Sequence, residues 1–130
     1  MLSPFAEKNK NMRVAITSVG EDLDAAVDPR FGRAKYFVVV DLETNAVQTA
    51  SNTVNLNAAQ GAGIQAAKTV AGLGAKALLT GHAGPKAFAA LQAAGIAIYP
   101  IAGGTVAEAL TQFRSGALEP MKQADVEGHG

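Results

Sequence analysis

The hydrophobic pattern of this 130-residue chain changes period once, near residue 52, and that change restricts the fold more than any other feature. Before it, apolar runs are short, and the second and third are tightly connected. Val14–Val19 is a β-rich run, followed by a loop bearing Gly, Asp and Pro from Gly20 to Ala34. Tyr36–Leu42 is the most strand-like stretch, and Glu43-Thr44-Asn45 turns it into a third run, Ala46–Ser51. Connections this short imply antiparallel neighbours. After residue 52 helices and strands alternate. Asn57–Gly74 reads as a helix, with Asn57 and Gln60 in capping-box spacing and Gly74 as its close. Ala77–Thr80 is a short buried strand, and Pro85–Ala94 is a helix with proline in its first turn and Gly95 as its stop. Ile96–Ile101 is a fifth strand, which Pro100 marks as an edge strand or as one about to end. Thr105–Ser115 is the clearest helix, with Thr105 and Glu108 as a capping box and Val106, Ala109, Leu110 and Phe113 on one face.

The order is therefore β-β-β-α-β-α-β-α, an α/β chain with a mixed five-stranded sheet and flanking helices, the pattern of a ribonuclease-H-like topology. Right-handed crossovers place the fourth and fifth strands parallel to the first. The carboxyl ends of those three strands then share one rim with the loops 20–35, 51–58, 81–85 and 101–105. All three helices start there too, which aims three positive dipole ends at one crevice, where ligands of open α/β sheets bind.

Composition narrows the function classes. Apolar residues make up 48%, but 27 of those 63 are alanine, so the core is expected to be thin and closed by tight helix–sheet contacts. Eleven basic residues balance eleven acidic ones, which gives no bulk reason to bind nucleic acid or an anionic membrane. The absence of cysteine excludes disulfides, thiolate nucleophiles and thiolate-ligated zinc or iron–sulfur centres. No apolar run approaches the roughly 20 residues of a membrane span. Residues 1–11 are polar, without the apolar stretch of a secretory signal, and read as a disordered extension. Residues 12–121 read as one domain, 122–130 as a flexible tail, and the location expected is cytoplasmic.

The rim carries the chemistry. Asp28-Pro29-Arg30-Phe31-Gly32-Arg33-Ala34-Lys35 sets three cations, Arg30, Arg33 and Lys35, within six positions. Such a loop suits an anion; the competing reading is a solvated loop whose arginines pair with Glu21, Asp22, Asp24 or Asp28. Thr80-Gly81-His82-Ala83-Gly84-Pro85, followed by Lys86, joins a buried strand to a helix, and Gly81 and Gly84 let backbone N–H groups turn toward a ligand. His82 is the candidate metal ligand or proton donor, against the ordinary reading of a loop histidine with neither role. Gly103 and Gly104, before Thr105, form a second glycine turn on the same rim, or a plain strand-to-helix connection. Gly61-Ala62-Gly63-Ile64-Gln65-Ala66 matches a loose dinucleotide pattern, but no strand directly precedes it and no acid follows near residues 80–83, so close helix–sheet packing, or backbone approach to a ligand, is the better account of its glycines. Catalysis has little support: there is no nucleophile elbow, zinc-protease motif or phosphate-loop lysine. Nuclease chemistry is disfavoured because Val14–Val19 carries no acid and Asp41 lies at the far end of the second strand.

From Arg13 to Leu118 the chain resembles the dinitrogenase iron–molybdenum cofactor biosynthesis family of nitrogenase accessory factors. The resemblance lies in Arg13-Val14-Ala15-Ile16, in Asp28-Pro29-Arg30-Phe31-Gly32-Arg33-Ala34 leading into Tyr36-Phe37, and in Gly61-Ala62-Gly63. It continues through Gly81-His82-Ala83-Gly84-Pro85 with Ala87 and Leu91, then Thr105-Val106, Glu108-Ala109 and Gly116-Ala117-Leu118. Their order and spacing together are specific, though each piece alone is weak. The resemblance implies a ribonuclease-H-like fold without nuclease activity and the carriage of metal–sulfur clusters. Missing cysteines favour the branch that holds a molybdenum–copper sulfide cluster without covalent attachment. Such a cluster, or another anionic metal–sulfur cluster, brings its own sulfides and asks only for a basic, partly apolar pocket with N–H donors. Arg30, Arg33, Lys35, Lys86 and the glycine turns would supply these, with Phe31 and Ile101 as the apolar wall. The function expected is therefore non-enzymatic binding or carriage of the cluster, with a possible protein partner for its delivery. The alternatives are a regulatory or scaffold module that binds a protein without metal, and an enzyme on a small phosphorylated ligand using His82.

Overall fold

Strand β1 (Arg13–Ser18) occupies the middle of a five-stranded sheet whose order is β3-β2-β1-β4-β5 in the computed structural model, which describes residues 12–52 and 62–122. It pairs antiparallel with β2 (Tyr36–Asp41) and parallel with β4 (Ala75–Thr80). On the outer sides, β3 (Val47–Ser51) lies antiparallel to β2, and β5 (Ala97–Pro100) parallel to β4. The mixed sheet and the parallel placement of β4 and β5 are as the sequence pattern predicts. Pro100 indeed ends an edge strand. The outer side of β5 is met by the C-terminal segment, where the Met121 N–H donates to the Ile98 carbonyl at 2.6 Å.

Helices α1 (Ala62–Gly72) and α2 (Pro85–Ala93) cover one face and α3 (Val106–Ser115) the other. Alternation along the strands sorts the core accordingly. Ala15, Phe37, Val39, Leu78 and Ile98 face α1 and α2, while Val14, Ile16, Val38, Val40, Ala77 and Leu79 face α3. Because β1 and β4 are covered on both faces, they are buried almost throughout rather than on alternate residues. Much of the helix burial is alanine: α1 buries Ala62, Ala66, Ala67 and Val70, the last three in one cluster with sheet residues.

Several boundaries differ from the sequence reading. β1 ends at Ser18 rather than Val19, because the Val19 N–H turns to the Ala26 carbonyl. β4 starts two residues earlier than the apolar run, because Ala75 pairs with Arg13 and polar Lys76 sits exposed within the strand. Gly74 closes the α1 turn with a positive φ of 81°. The predicted cap at Asn57 and Gln60, together with Gly61, lies outside the described residues. So do the extension expected over 1–11 and all of the expected tail except exposed Lys122.

Candidate functional site

The loop between β1 and β2 divides at Val27. Its first part folds onto the start of α3: the Val27 N–H donates to the Gly104 carbonyl at 2.9 Å, and the Val106 and Ala107 N–H groups donate to the Ala25 and Leu23 carbonyls, each at 2.9 Å. Thr105 and Glu108 complete a reciprocal capping box at 3.1 and 2.9 Å. The N–H groups that begin α3 are thus taken by the protein itself. This changes the expected picture of three helix ends serving one crevice.

The second part of the loop crosses to the α1/α2 face and joins the β4–α2 turn. The His82 N–H donates to the Pro29 carbonyl at 2.7 Å, and the Phe31 N–H to the His82 carbonyl at 3.2 Å. Gly81 is required by this approach, since a Cβ there would sit 2.7 Å from Pro29 backbone atoms. Beside the junction opens a cavity of about 370 Å³ lined by Phe31, Gly32, Gly63, His82, Ala83, Gly84, Pro85, Lys86 and Ala87. Phe31 is its buried wall, with its ring centroid 5.8 Å from that of Phe37. Among the described residues Lys86 is the only charged side chain in the lining, and it is exposed.

Gly84 is the N-cap of α2, and among the described residues no side chain caps that helix. Its φ of −69° and ψ of 175° suit any residue, and a Cβ would meet nothing within 4 Å. Neither strain nor packing therefore asks for glycine at 84. Serine, threonine, asparagine or aspartate at an N-cap would satisfy the first-turn N–H groups. Glycine instead leaves the first turn of α2 uncapped by any side chain, beside an apolar hollow.

Phe31, Gly32, His82, Gly84 and Lys86 come together here, whereas other sequence-predicted residues do not. Arg30 is exposed beside the junction, and its Nε lies 3.3 Å from Oδ1 of Asp28, whose side chain is only 3% exposed. For Arg30 the competing ion-pair reading is the observed one. Arg33 and Lys35 are exposed on the same loop but do not line the cavity. Gly103 and Gly104 border a separate hollow of about 430 Å³ along α3, with Ala107, Glu108, Thr111 and Gln112. Ile101 is corrected: it is buried in the α3-side core, on the other face from Phe31, and does not wall the cavity. Among the described residues no three His, Asp or Glu side chains converge as a metal site.

The sequence reading missed Asn52, and it gave Ala87 no role of its own. Asn52, 1% exposed, holds the loop from below, with Nδ2 donating to the Ala34 carbonyl at 2.7 Å and its backbone N–H to Lys35 at 2.8 Å. Its only signal was a polar residue at a strand end. Gly63 and Ala87 form a close helix contact, where a Cβ on Gly63 would stand 3.0 Å from the Ala87 Cβ. Gly32 abuts the same place, its Cβ position 3.1 Å from the Gly63 nitrogen. Here Gly63 of the rejected dinucleotide pattern has its use in close packing, and it also lines the cavity.

Comparison with known proteins assigns the family. Residues 12–116 match the family model for the dinitrogenase iron–molybdenum cofactor. The chain belongs to that family. Among solved structures it is similar to the apo form of the orange protein from Desulfovibrio gigas, with 45% identity and a TM-score of 0.86, over 88% of this chain and 97% of that one. A NifB-like Thermotoga protein of the DUF35 family shares 38% identity at a TM-score of 0.78, with the same coverage. An uncharacterised protein of Methanocaldococcus jannaschii is 26% identical over 113 residues, 85% of this chain and 96% of its own length. The family resemblance read from the motifs is thus the right one, and the fold matches that of the orange protein. No helix among the described residues of this family member is long and apolar enough to cross a membrane.

Proposed function

We propose that this family member binds and carries an anionic metal–sulfur cluster, of molybdenum–copper sulfide type, held without covalent bonds in the cavity between Phe31 and Lys86. It does so as a carrier and not as an enzyme, in the cytoplasm, and can pass the cluster to a protein partner. The observation that carries this reading is the pairing of an apolar hollow with a helix start that no side chain caps. A sulfide-rich anion suits both halves: its soft sulfurs tolerate the wall of Phe31, Ala83 and Ala87, and its charge suits the α2 N-terminus and Lys86. Without cysteine, the chain cannot supply thiolates, so the cluster must bring its own sulfides. The family match and the likeness to the orange protein support a metal–sulfur cargo. His82 lines the cavity and is the side chain placed to touch a metal or sulfide edge. Arg30, Arg33 and Lys35 provide a more distant positive field, with Arg30 partly neutralised by Asp28.

The strand order and element order favour reading the architecture as ribonuclease-H-like, put to binding rather than hydrolysis. The organisation we propose is one cluster-binding domain over 12–121, with the residues on either side outside it. The test is reconstitution. Purified protein receives tetrathiomolybdate and a copper salt, and is then desalted. A visible chromophore with molybdenum and copper co-eluting with wild type, and weakened in Lys86→Glu, supports the reading. Protein that stays colourless overturns it in favour of a scaffold module without metal.

A further inference from the structure

Two threonines stand where the central strands would accept valine. Thr17 and Thr80 are fully buried at the carboxyl ends of β1 and β4, directly after Ile16 and Leu79. Valine has nearly the same shape and no hydroxyl to satisfy, so the hydroxyls call for an account. The directions of their hydrogen bonds supply one. Thr17 Oγ1 lies 2.6 Å from the Asp28 carbonyl, which can only accept, so the Thr17 proton goes there. Thr17 Oγ1 is also 2.8 Å from Thr80 Oγ1, and with its one proton already committed, Thr17 must accept that bond. The result is a one-way chain, from Thr80 to Thr17 to the carbonyl of Asp28. Asp28 returns its own N–H to the Thr17 carbonyl at 2.9 Å.

The chain ends on the segment that builds the cavity. Pro29 accepts from His82, and Phe31 donates back to His82, so a shift of Asp28 relative to β1 moves both cavity residues. Neither threonine lines the cavity itself. We infer that Thr17 and Thr80 are positioning residues for ligand binding: their buried hydroxyl relay sets the height of segment 28–31 above the strand ends, and through it the placement of Phe31 and His82. This inference rests on the proposed reading of the cavity as the binding site.

The test uses the full chain with Thr17→Val, Thr80→Val and Thr17→Ser. Each variant is titrated with tetrathiomolybdate and a copper salt, and amide hydrogen exchange is followed at Phe31, His82 and, for reference, Ala109 in α3. Thr17→Val leaves both the Asp28 carbonyl and the Thr80 hydroxyl without their partner. Retention of the chromophore by folded protein should weaken about tenfold, with faster exchange at Phe31 and His82 but not at Ala109. Thr80→Val should do less, because Thr17 still reaches Asp28, and Thr17→Ser should restore most of the loss. Wild-type retention in folded Thr17→Val, no rescue by serine, or a larger effect from Thr80→Val would each overturn the inference. If Thr17→Val does not fold, Thr80→Val and Thr80→Ser carry the test: weakening restored by serine supports the inference, and no weakening rejects it. If wild type itself retains no chromophore, the proposed function fails and the role in binding fails with it. Altered exchange at Phe31 and His82 would then show a relay that serves the fold alone.

Discussion

Two strand-to-helix junctions stand on one rim, built from similar residues, and they end in opposite states. At β5–α3, Gly103 and Gly104 lead into a helix whose first N–H groups are taken by Leu23, Ala25 and the Thr105 side chain. At β4–α2, Gly81 and Gly84 lead into a helix that no side chain caps and that opens beside a hollow. The difference lies in where the β1–β2 loop lands. Its first part covers α3 with backbone carbonyls, whereas its second part meets the β4–α2 turn at His82, and among the described residues no side chain caps the helix start behind it. A glycine turn at a helix start is therefore a potential anion site only when the rest of the chain stays away from it.

Breaking the open junction should have the largest effect. Gly81→Ala places a Cβ 2.7 Å from Pro29 backbone atoms, which neither rigid segment can yield cheaply. We expect a loss of about 2 kcal/mol in urea unfolding, in the range of overpacked sites, and loss of the reconstituted chromophore. Gly84→Asp sharpens the comparison by giving α2 a cap of its own, as α3 has. It should raise stability by a few tenths of a kcal/mol yet weaken cluster retention about tenfold, and retention equal to wild type would show that the α2 start does not meet the ligand. The mirror change, Thr105→Ala, should lower stability by about 1 kcal/mol in the same unfolding assay while leaving chromophore retention as in wild type.

Charge on the loop should matter less. Arg33→Glu is expected to weaken retention several-fold, whereas Lys122→Glu, exposed near the C-terminus, should leave it unchanged; equal retention by both would remove the loop from the site. The smallest effect is expected at the β2–β3 turn, remote from both junctions. There the N–H groups of Thr44 and Glu43 hold the Asp41 carboxyl below the usual carboxylate range. A lowered folded-state pKa makes this contribution present above the unfolded value and lost as pH falls through the folded one. Acid unfolding should therefore show it disappearing below about pH 4, and Asp41→Asn should flatten that limb without touching cluster retention.

Much of the fold was legible because its signals are local. The strand within Tyr36–Leu42, the turn Glu43-Thr44-Asn45, the proline start of α2 at Pro85 and the cap at Thr105 depend on residues close in the chain, and all appear in the structure. The basic loop and the 81–85 turn were legible as a pair of candidates for one site, and the loop's Phe31 and Gly32 do reach the turn's cavity. Illegible was which groups would be consumed on the way. That Ala25 and Leu23 would close α3, and that Ile101 would turn to the opposite core, are contacts between residues far apart in the chain, whereas the Arg30–Asp28 pair, two residues apart, was one of the two readings of the loop. Thr17 and Thr80 were read as parts of strands, since nothing in β propensity separates a buried threonine that anchors a loop from one that merely fits a pleat.

By itself, then, the sequence determined the element order, the mixed sheet, the family and the exclusion of thiolate ligation, because period, capping and composition act locally or over the whole chain. Only the tertiary structure decided which of two similar glycine junctions stays open. Backbone N–H groups are identical in sequence terms, and whether one meets a carbonyl, a hydroxyl or a cavity depends on where a distant loop comes to rest.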